Sequence, residues 1–406
     1  MEERGPGITP DGSVTVVEEE GWLKRIMNSI KAVLFGVALF IVSFPLLWWN
    51  EGRSVQRALD LEEGAGAVVS VSADKVDPAN EGKLVHLTGN AETKETLQDA
   101  EFGVSVSGAL KLKRTVEMYQ WKEEVTTKEE KELGGKVKKT KTYNYEKVWS
   151  DDLYDSSGFK NQEKKNPSSM TYKSKSFSAQ KVTVGAFTLS EELLDSINNF
   201  EELAPESPVL EKIKLNEPAK AVIDSGAIYI SPAGNPQPTD PKIGDLRVKF
   251  SVAKPTIVSI FAKQFKDTFT SYTTKSGGEL IRLELGAKTA AQMFQKAQEE
   301  NVMLTWILRL LGFLLMAFGI YIVFKPLAVV ADVIPFLGSI LAGGLGIFAA
   351  LISFALSFIT IAVAWIFYRP LVGIILLAVA IGSVVGAKFL FKKKELPKEV
   401  PAGISQ

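Results

Sequence analysis

Long apolar blocks, one near the start of the chain and three near its end, limit the possible folds more than any other feature. The first, AVLFGVALFIVSFPLLWW at residues 32–49, approaches the roughly 20 residues needed to cross a bilayer core. Three more follow at residues 302–324, 339–367 and 371–391, each long enough to span, the middle one with tilt. The pattern predicts an α+β membrane protein with four transmembrane helices, one N-terminal and three C-terminal. Residues 50–301 then form a β-rich extracytoplasmic domain between the first and second spans.

Lys24, Arg25 and Lys31 precede the first block, and it leaves through Trp48-Trp49-Asn50-Glu51 without a small-residue cleavage site. It therefore reads as an uncleaved anchor. Four spans return both ends to one side. Lys388, Lys392, Lys393, Lys394 and Lys398 at the far end match the early cations, so residues 1–31 and 392–406 are expected as cytoplasmic tails. Residues 325–338 are apolar but too short and proline-broken to cross, and are expected to lie in the cytoplasmic interface or to re-enter.

Between the spans the pattern changes to near-alternation rich in β-branched and aromatic residues, as in LKLKRTVEMYQW and DLRVKFSV. Residues 110–150 read as one long hairpin with a charged, projecting tip, because Gly134-Gly135 accept the positive φ of a turn. A short helix is expected from Ser190, where Glu191, Glu192 and Asp195 favour a helix N-terminus. The helix-forming run TAAQMFQKAQEEN, starting at Thr289, is expected to continue into the second span.

The chain has 406 residues, zero formal net charge, one histidine and no cysteine. The missing cysteine excludes disulfides, thiolate metal sites and thiol catalysis. His86 is the one side chain that titrates near neutrality, but it sits in the strand-like KLVHLTG with no nucleophile constellation around it and reads as a sheet residue. TKSGGEL lacks the spacing of a phosphate loop and reads as a turn. Lysines and aromatics interleave in the hairpin, yet glutamates are mixed throughout, so no nucleic-acid partner and no cofactor or metal is expected.

The chemistry concentrates at the span ends. Arg309 lies within the second span, where an unpartnered guanidinium costs about 2.5 to 3.5 kcal/mol at the centre. It either snorkels or pairs; Glu51 and Arg369 are expected at the same boundary, and only Glu51 has the opposite sign. The exit NEGR would let the chain turn sharply at Asn50 and Gly52, with Trp48, Trp49 and Arg53 in the membrane interface. Ala378, Gly382 and Gly386 form a small-residue strip on the last span, and Gly343 lies on a similar face of the third, both suited to close helix packing.

The ordered phrases NEGRS, NEGKLVHLTG, LKLKRTVEMYQW, KNPSSM, IGDLRVKFS, TKSGGEL and WIFYRPL resemble the transmembrane protein 43 family, also called LUMA. The resemblance runs from about Gly21 to Phe391 and includes the layout of spans. It implies a non-enzymatic membrane organiser that contacts lipids, associates with itself and binds unknown membrane-protein partners, with no catalytic residues to transfer. In a nuclear-envelope member those partners would be emerin and lamins. The short tails without a nuclear import cluster point to a bacterial inner membrane; a eukaryotic member would sit in the endoplasmic reticulum or inner nuclear membrane. The alternative is a channel or transporter component with a regulatory extracytoplasmic domain, for which Arg309 and Asp332 are the main polar groups near the spans.

Overall fold

The computed structural model describes residues 3–9, 12–211, 213, 215 and 218–370. Two largely antiparallel sheets are built on three long helices. The strands used below are β1 (Glu3–Ile8), β2 (Val14–Glu20), β3 (Leu84–Glu92), β4 (Lys111–Lys131), β5 (Val137–Ser150), β6 (Lys220–Asp224), β7 (Ala227–Ser231), β8 (Leu246–Ala253), β9 (Thr256–Phe265) and β10 (Arg282–Leu285). The helices are α1 (Trp22–Ala67), α2 (Glu191–Asp195), α3 (Ala290–Ala331) and α4 (Pro335–Tyr368).

The first sheet, nine-stranded, follows the order β1-β2-β5-β4-β8-β7-β6, with two short strands added at its side. The second, seven-stranded, is centred on the antiparallel pair β3 and β9, and β10 also pairs with β9. Leu112, Val116, Val248 and Phe250 from the first sheet share one core with Val85, Leu87, Val258 and Ile260 from the second. Alternation along β9 explains why this strand is buried on both faces: Val258, Ile260 and Ala262 enter that core, while Phe261 turns to the helices. There Phe261 stacks on Phe294 of α3 at 4.5 Å between ring centroids, beside Leu61 of α1.

Three of the described helices are long and apolar enough to cross a membrane. The fourth expected span, with its strip Ala378, Gly382 and Gly386, lies outside the described residues. Each observed helix overruns its apolar block. α1 has 46 residues, about 69 Å at 1.5 Å per residue, and carries the chain from the apolar region into the second sheet without a break. α3 does the same over 42 residues, starting at a capping box in which Thr289 and Gln292 bond reciprocally.

Two local expectations need correction. NEGR does not turn: Asn50 to Arg53 lie inside α1, because Gly52 serves a close approach, its absent Cβ standing 2.6 Å from the Tyr368 ring. Residues 325–338 do not form a separate segment; α3 continues to Ala331 and α4 starts at Pro335. The short helix expected from Ser190 forms as α2, five residues long with Ser190 at its N-cap. Gly343 has open space around it among the described residues, and its expected partner, the last span, lies outside them; a close backbone approach is seen at Gly36 and Gly319, where a Cβ on Gly319 would meet the Phe40 nitrogen at 2.7 Å.

The hairpin forms as the sequence predicts, with β4 and β5 joined through Gly134 and Gly135 at φ 84° and 76°. Its tip is not free. β2, expected in a tail across the bilayer from the hairpin, pairs along β5 from Val14 with Tyr143 to Glu20 with Val137. Opposite charges match across this seam: Lys141 bonds Glu18 at 2.8 Å, and Lys139 bonds Glu20 at 3.1 Å. α1 begins two residues after β2 ends, so the ribbon reaches from the sandwich to the far ends of the helices.

Candidate functional site

A buried polar belt marks the level where α1, α3 and α4 leave their apolar blocks. Asn50, Glu51 and Ser54 sit on one face of α1 because positions three and four apart share a face. Asn301, Thr305 and Arg309 line the facing side of α3 at the same spacing. Arg309 donates from Nε to Glu51 Oε1 and from Nη2 to Oε2, both at 2.7 Å, the bidentate geometry that a guanidinium and a carboxylate share. Trp365 of α4 donates its indole N–H to Glu51 Oε2 at 2.7 Å. One carboxylate therefore joins three helices.

Glu51 is 2% exposed, so solvation contributes little and the three donors carry its charge. Arg309 lies between the rings of Trp306 and Trp365, 4.8 and 5.6 Å from their centroids. Deeper in the seam, Asn50 donates to the Thr305 carbonyl at 3.0 Å and Asn301 to the Ser54 carbonyl at 2.9 Å. Thr305 donates to Ser54 Oγ at 2.8 Å or to the Asn301 carbonyl at 2.6 Å. Arg53 reaches Asn301 Oδ1 and Thr305 Oγ1, each at 3.1 Å. The structure thus brings Glu51, Arg309 and Arg53 together. Arg369 forms no ion pair among the described residues. Trp48 packs near Phe367 and Tyr368, while Trp49 is exposed.

Two further clusters hold the domain to the helices. In the first, Asp60 of α1 is buried and accepts from Thr274 Oγ1 at 2.6 Å and from the Ser276 hydroxyl. Gly278 fits only because it has no Cβ, which would stand 2.1 Å from Asp60 Oδ2. TKSGGEL is therefore a turn clamped by a helix. In the second, at the far helix ends, buried Asp332 bonds Arg25 of α1 and accepts from Lys131 of the hairpin at 2.7 Å. Gly134 N–H bonds the Val333 carbonyl at 3.0 Å, and Arg25 donates to the Gly135 carbonyl at 2.6 Å.

His86 donates from Nε2 to the carbonyl of Lys288, in the loop before α3, at 2.9 Å, and its Nδ1 lies 3.5 Å from Ser70 Oγ. Only the protonated nitrogen satisfies that carbonyl. Burial outweighs this bond and lowers the His86 pKa from its ordinary 6.5. Tyr145, in β5 of the hairpin opposite Glu123, is pushed up to about 12, first by burial and then by its 2.5 Å bond to Glu123.

The sequence signalled the Glu51 and Arg309 pair through opposite charges at one boundary. Trp365, Asn301, Thr305 and the Asp60 clamp carried no comparable signal. Small polar residues at helical spacing opposite one another, Asn50 and Ser54 against Asn301 and Thr305, are the trace that would have found the belt.

The family model described as Transmembrane protein 43 matches residues 118–370. The mouse Transmembrane protein 43 is 34% identical over 395 residues, covering 94% of this chain and 96% of the relative. The human protein of the same name is 33% identical over the same shares. The Transmembrane protein 43 homolog of Drosophila melanogaster is 31% identical over 361 residues, covering 85% of this chain and 90% of the relative. No solved structure matches the chain. With more than half of its length inside the family model and near end-to-end similarity to animal members, the chain is a membrane protein that belongs to the transmembrane protein 43 family.

Proposed function

We propose that the chain is a non-enzymatic membrane scaffold that presents its sheet sandwich in a fixed orientation for self-association. The observation that carries this reading is the pair of unbroken helices, α1 and α3, which run from the apolar region into the second sheet. They are fastened at two levels, by the Glu51 and Arg309 belt and by the Asp60 clamp. A hinge at either level would let the domain turn; hydrogen-bonded buried groups at both resist it. Such rigidity suits an organiser whose partners must meet a defined surface.

The test is the mass of the full chain in mild detergent, alongside crosslinking in native membranes. We expect an oligomer for the natural chain. A Gly-Ser-Gly-Ser insertion after Gln298, which breaks α3 between the belt at Asn301 and the packing of Phe294 and Ala297 beside the clamp, should reduce it to monomer while each part stays folded. A natural chain that is monomeric in detergent and gives no larger crosslinked species in membranes would overturn self-association.

A further inference from the structure

A cavity of about 620 Å³ opens between α3 and α4, within the size range of ligand sites. Its walls are Trp306 and Leu310 on one helix and Phe354 and Phe358 on the other, each more than half exposed. One end is closed by Arg309 and Trp365, at the level where the helices leave their apolar blocks. The walls therefore face hydrocarbon, and the closed end lies at headgroup depth.

Charge at that end is not balanced. Glu51 takes Nε and Nη2 of Arg309, and Nη1 has no hydrogen-bond partner among the described residues. Arg53 is held by Asn50, Asn301 and Thr305, all neutral. Arg369, at the C-cap of α4 one turn beyond Trp365, is exposed and makes no ion pair among the described residues. Three guanidiniums thus share one carboxylate. Two rings flank the guanidinium of Arg309, which lines the cavity as well as holding Glu51.

We propose that this cavity binds an anionic glycerophospholipid, with one acyl chain between Leu310 and Phe358 and the phosphate on Arg309 Nη1 and Arg369. The aromatic walls select a chain. The surplus cations select a headgroup of net negative charge over a zwitterionic one. An arginine near a charged membrane surface changes affinity by about fivefold, so Arg369 sets the expected size of that preference.

The test uses the full chain in nanodiscs and phosphatidylglycerol carrying a photoreactive group on its acyl chain. After irradiation, mass spectrometry should place the label on residues 306–313 and 354–365. Unlabelled phosphatidylglycerol should compete about fivefold better than phosphatidylcholine, and Arg369→Gln should remove most of that difference. Ala362→Trp, which fills the cavity from α4 without touching the Glu51 pair, should abolish labelling there while leaving the unfolding midpoint near that of the natural chain. Equal competition by the two lipids would overturn the headgroup assignment. Labelling spread evenly over α1 as well, or unchanged in Ala362→Trp, would overturn the site. So would a disulfide between Ala362→Cys and Ala378→Cys, which would show that residues 371–391 of the chain itself fill the cavity.

Discussion

Removing both partners of the Glu51 and Arg309 pair should cost less than the sum of the two single removals, and the two single changes should not be equal. Glu51 is nearly inaccessible, whereas 15% of the Arg309 side chain is exposed. Arg309→Met leaves a buried carboxylate whose remaining donor is the Trp365 indole at 2.7 Å. Breaking a buried pair in this way costs about 3 to 5 kcal/mol. Glu51→Gln leaves a guanidinium that keeps two ring faces and some contact with solvent, each ring contributing about 0.5 to 2 kcal/mol, so its cost should fall near the lower end of that range or below it. In the double variant neither charge remains, and the pairwise coupling should be about 2 kcal/mol. The assay is chemical unfolding of the full chain in one detergent, followed by tryptophan fluorescence. Strict additivity would mean that Arg309 only snorkels and that Glu51 is held by other groups.

Three further outcomes follow from the packing, the sheet and the ribbon. Gly319→Ala should lower the unfolding midpoint by an amount typical of overpacking, about 1 to 3 kcal/mol, because its Cβ meets backbone; Gly343→Ala should be neutral or slightly stabilising, and equal effects would sink the crossing. His86 has a folded pKa below its unfolded 6.5, so the unfolded chain binds more protons as pH falls: its contribution is full above pH 6.5 and is lost on acidification through the lower folded value. His86→Asn should flatten the stability profile below pH 6.5, and an unchanged slope in urea titrations would remove the claim. In this cysteine-free chain, Thr15→Cys and Thr142→Cys, which are register partners, should form a disulfide in detergent, and its absence would refute the pairing of β2 with β5. The same pair in sealed membranes decides sidedness: a disulfide puts residues 14–20 and the hairpin on one face, and its loss there alone separates them, since a ribbon dense in Lys and Glu is not stable in hydrocarbon.

Much of the architecture is legible in the sequence because its signals are local. Apolar blocks announce α1, α3 and α4, Gly134-Gly135 announces the hairpin turn, and the helix-forming run after Thr289 announces the long α3. What failed depended on partners distant in sequence. Asn-Glu-Gly at residues 50–52 has turn chemistry, yet Thr305 and Tyr368 make helix the better state there. β2 reads as a tail until Glu18 and Glu20 meet Lys141 and Lys139 of β5, more than 100 positions away. Gly319 looks like any glycine in an apolar helix, and only the crossing of α1 over α3 marks it as a site of close approach. At the site, charge sign was enough to pair Glu51 with Arg309. The indole of Trp365 was invisible because tryptophan near a span end already has an interfacial explanation.

The unbroken course of α1 from Trp49 to Ala67 has a consequence for how the protein meets bilayers of different thickness. A span adjusts to a thicker or thinner hydrocarbon layer mainly by changing its tilt, at a cost of fractions of a kcal/mol per Å. With no joint above the belt, that tilt passes undiminished to the sandwich. From Glu51 to Leu61 the helix projects about 15 Å, so a tilt of about 20° swings the sheet roughly 5 Å sideways and rotates its face by the same angle. Lipid composition thereby sets which edge of the domain neighbouring molecules encounter.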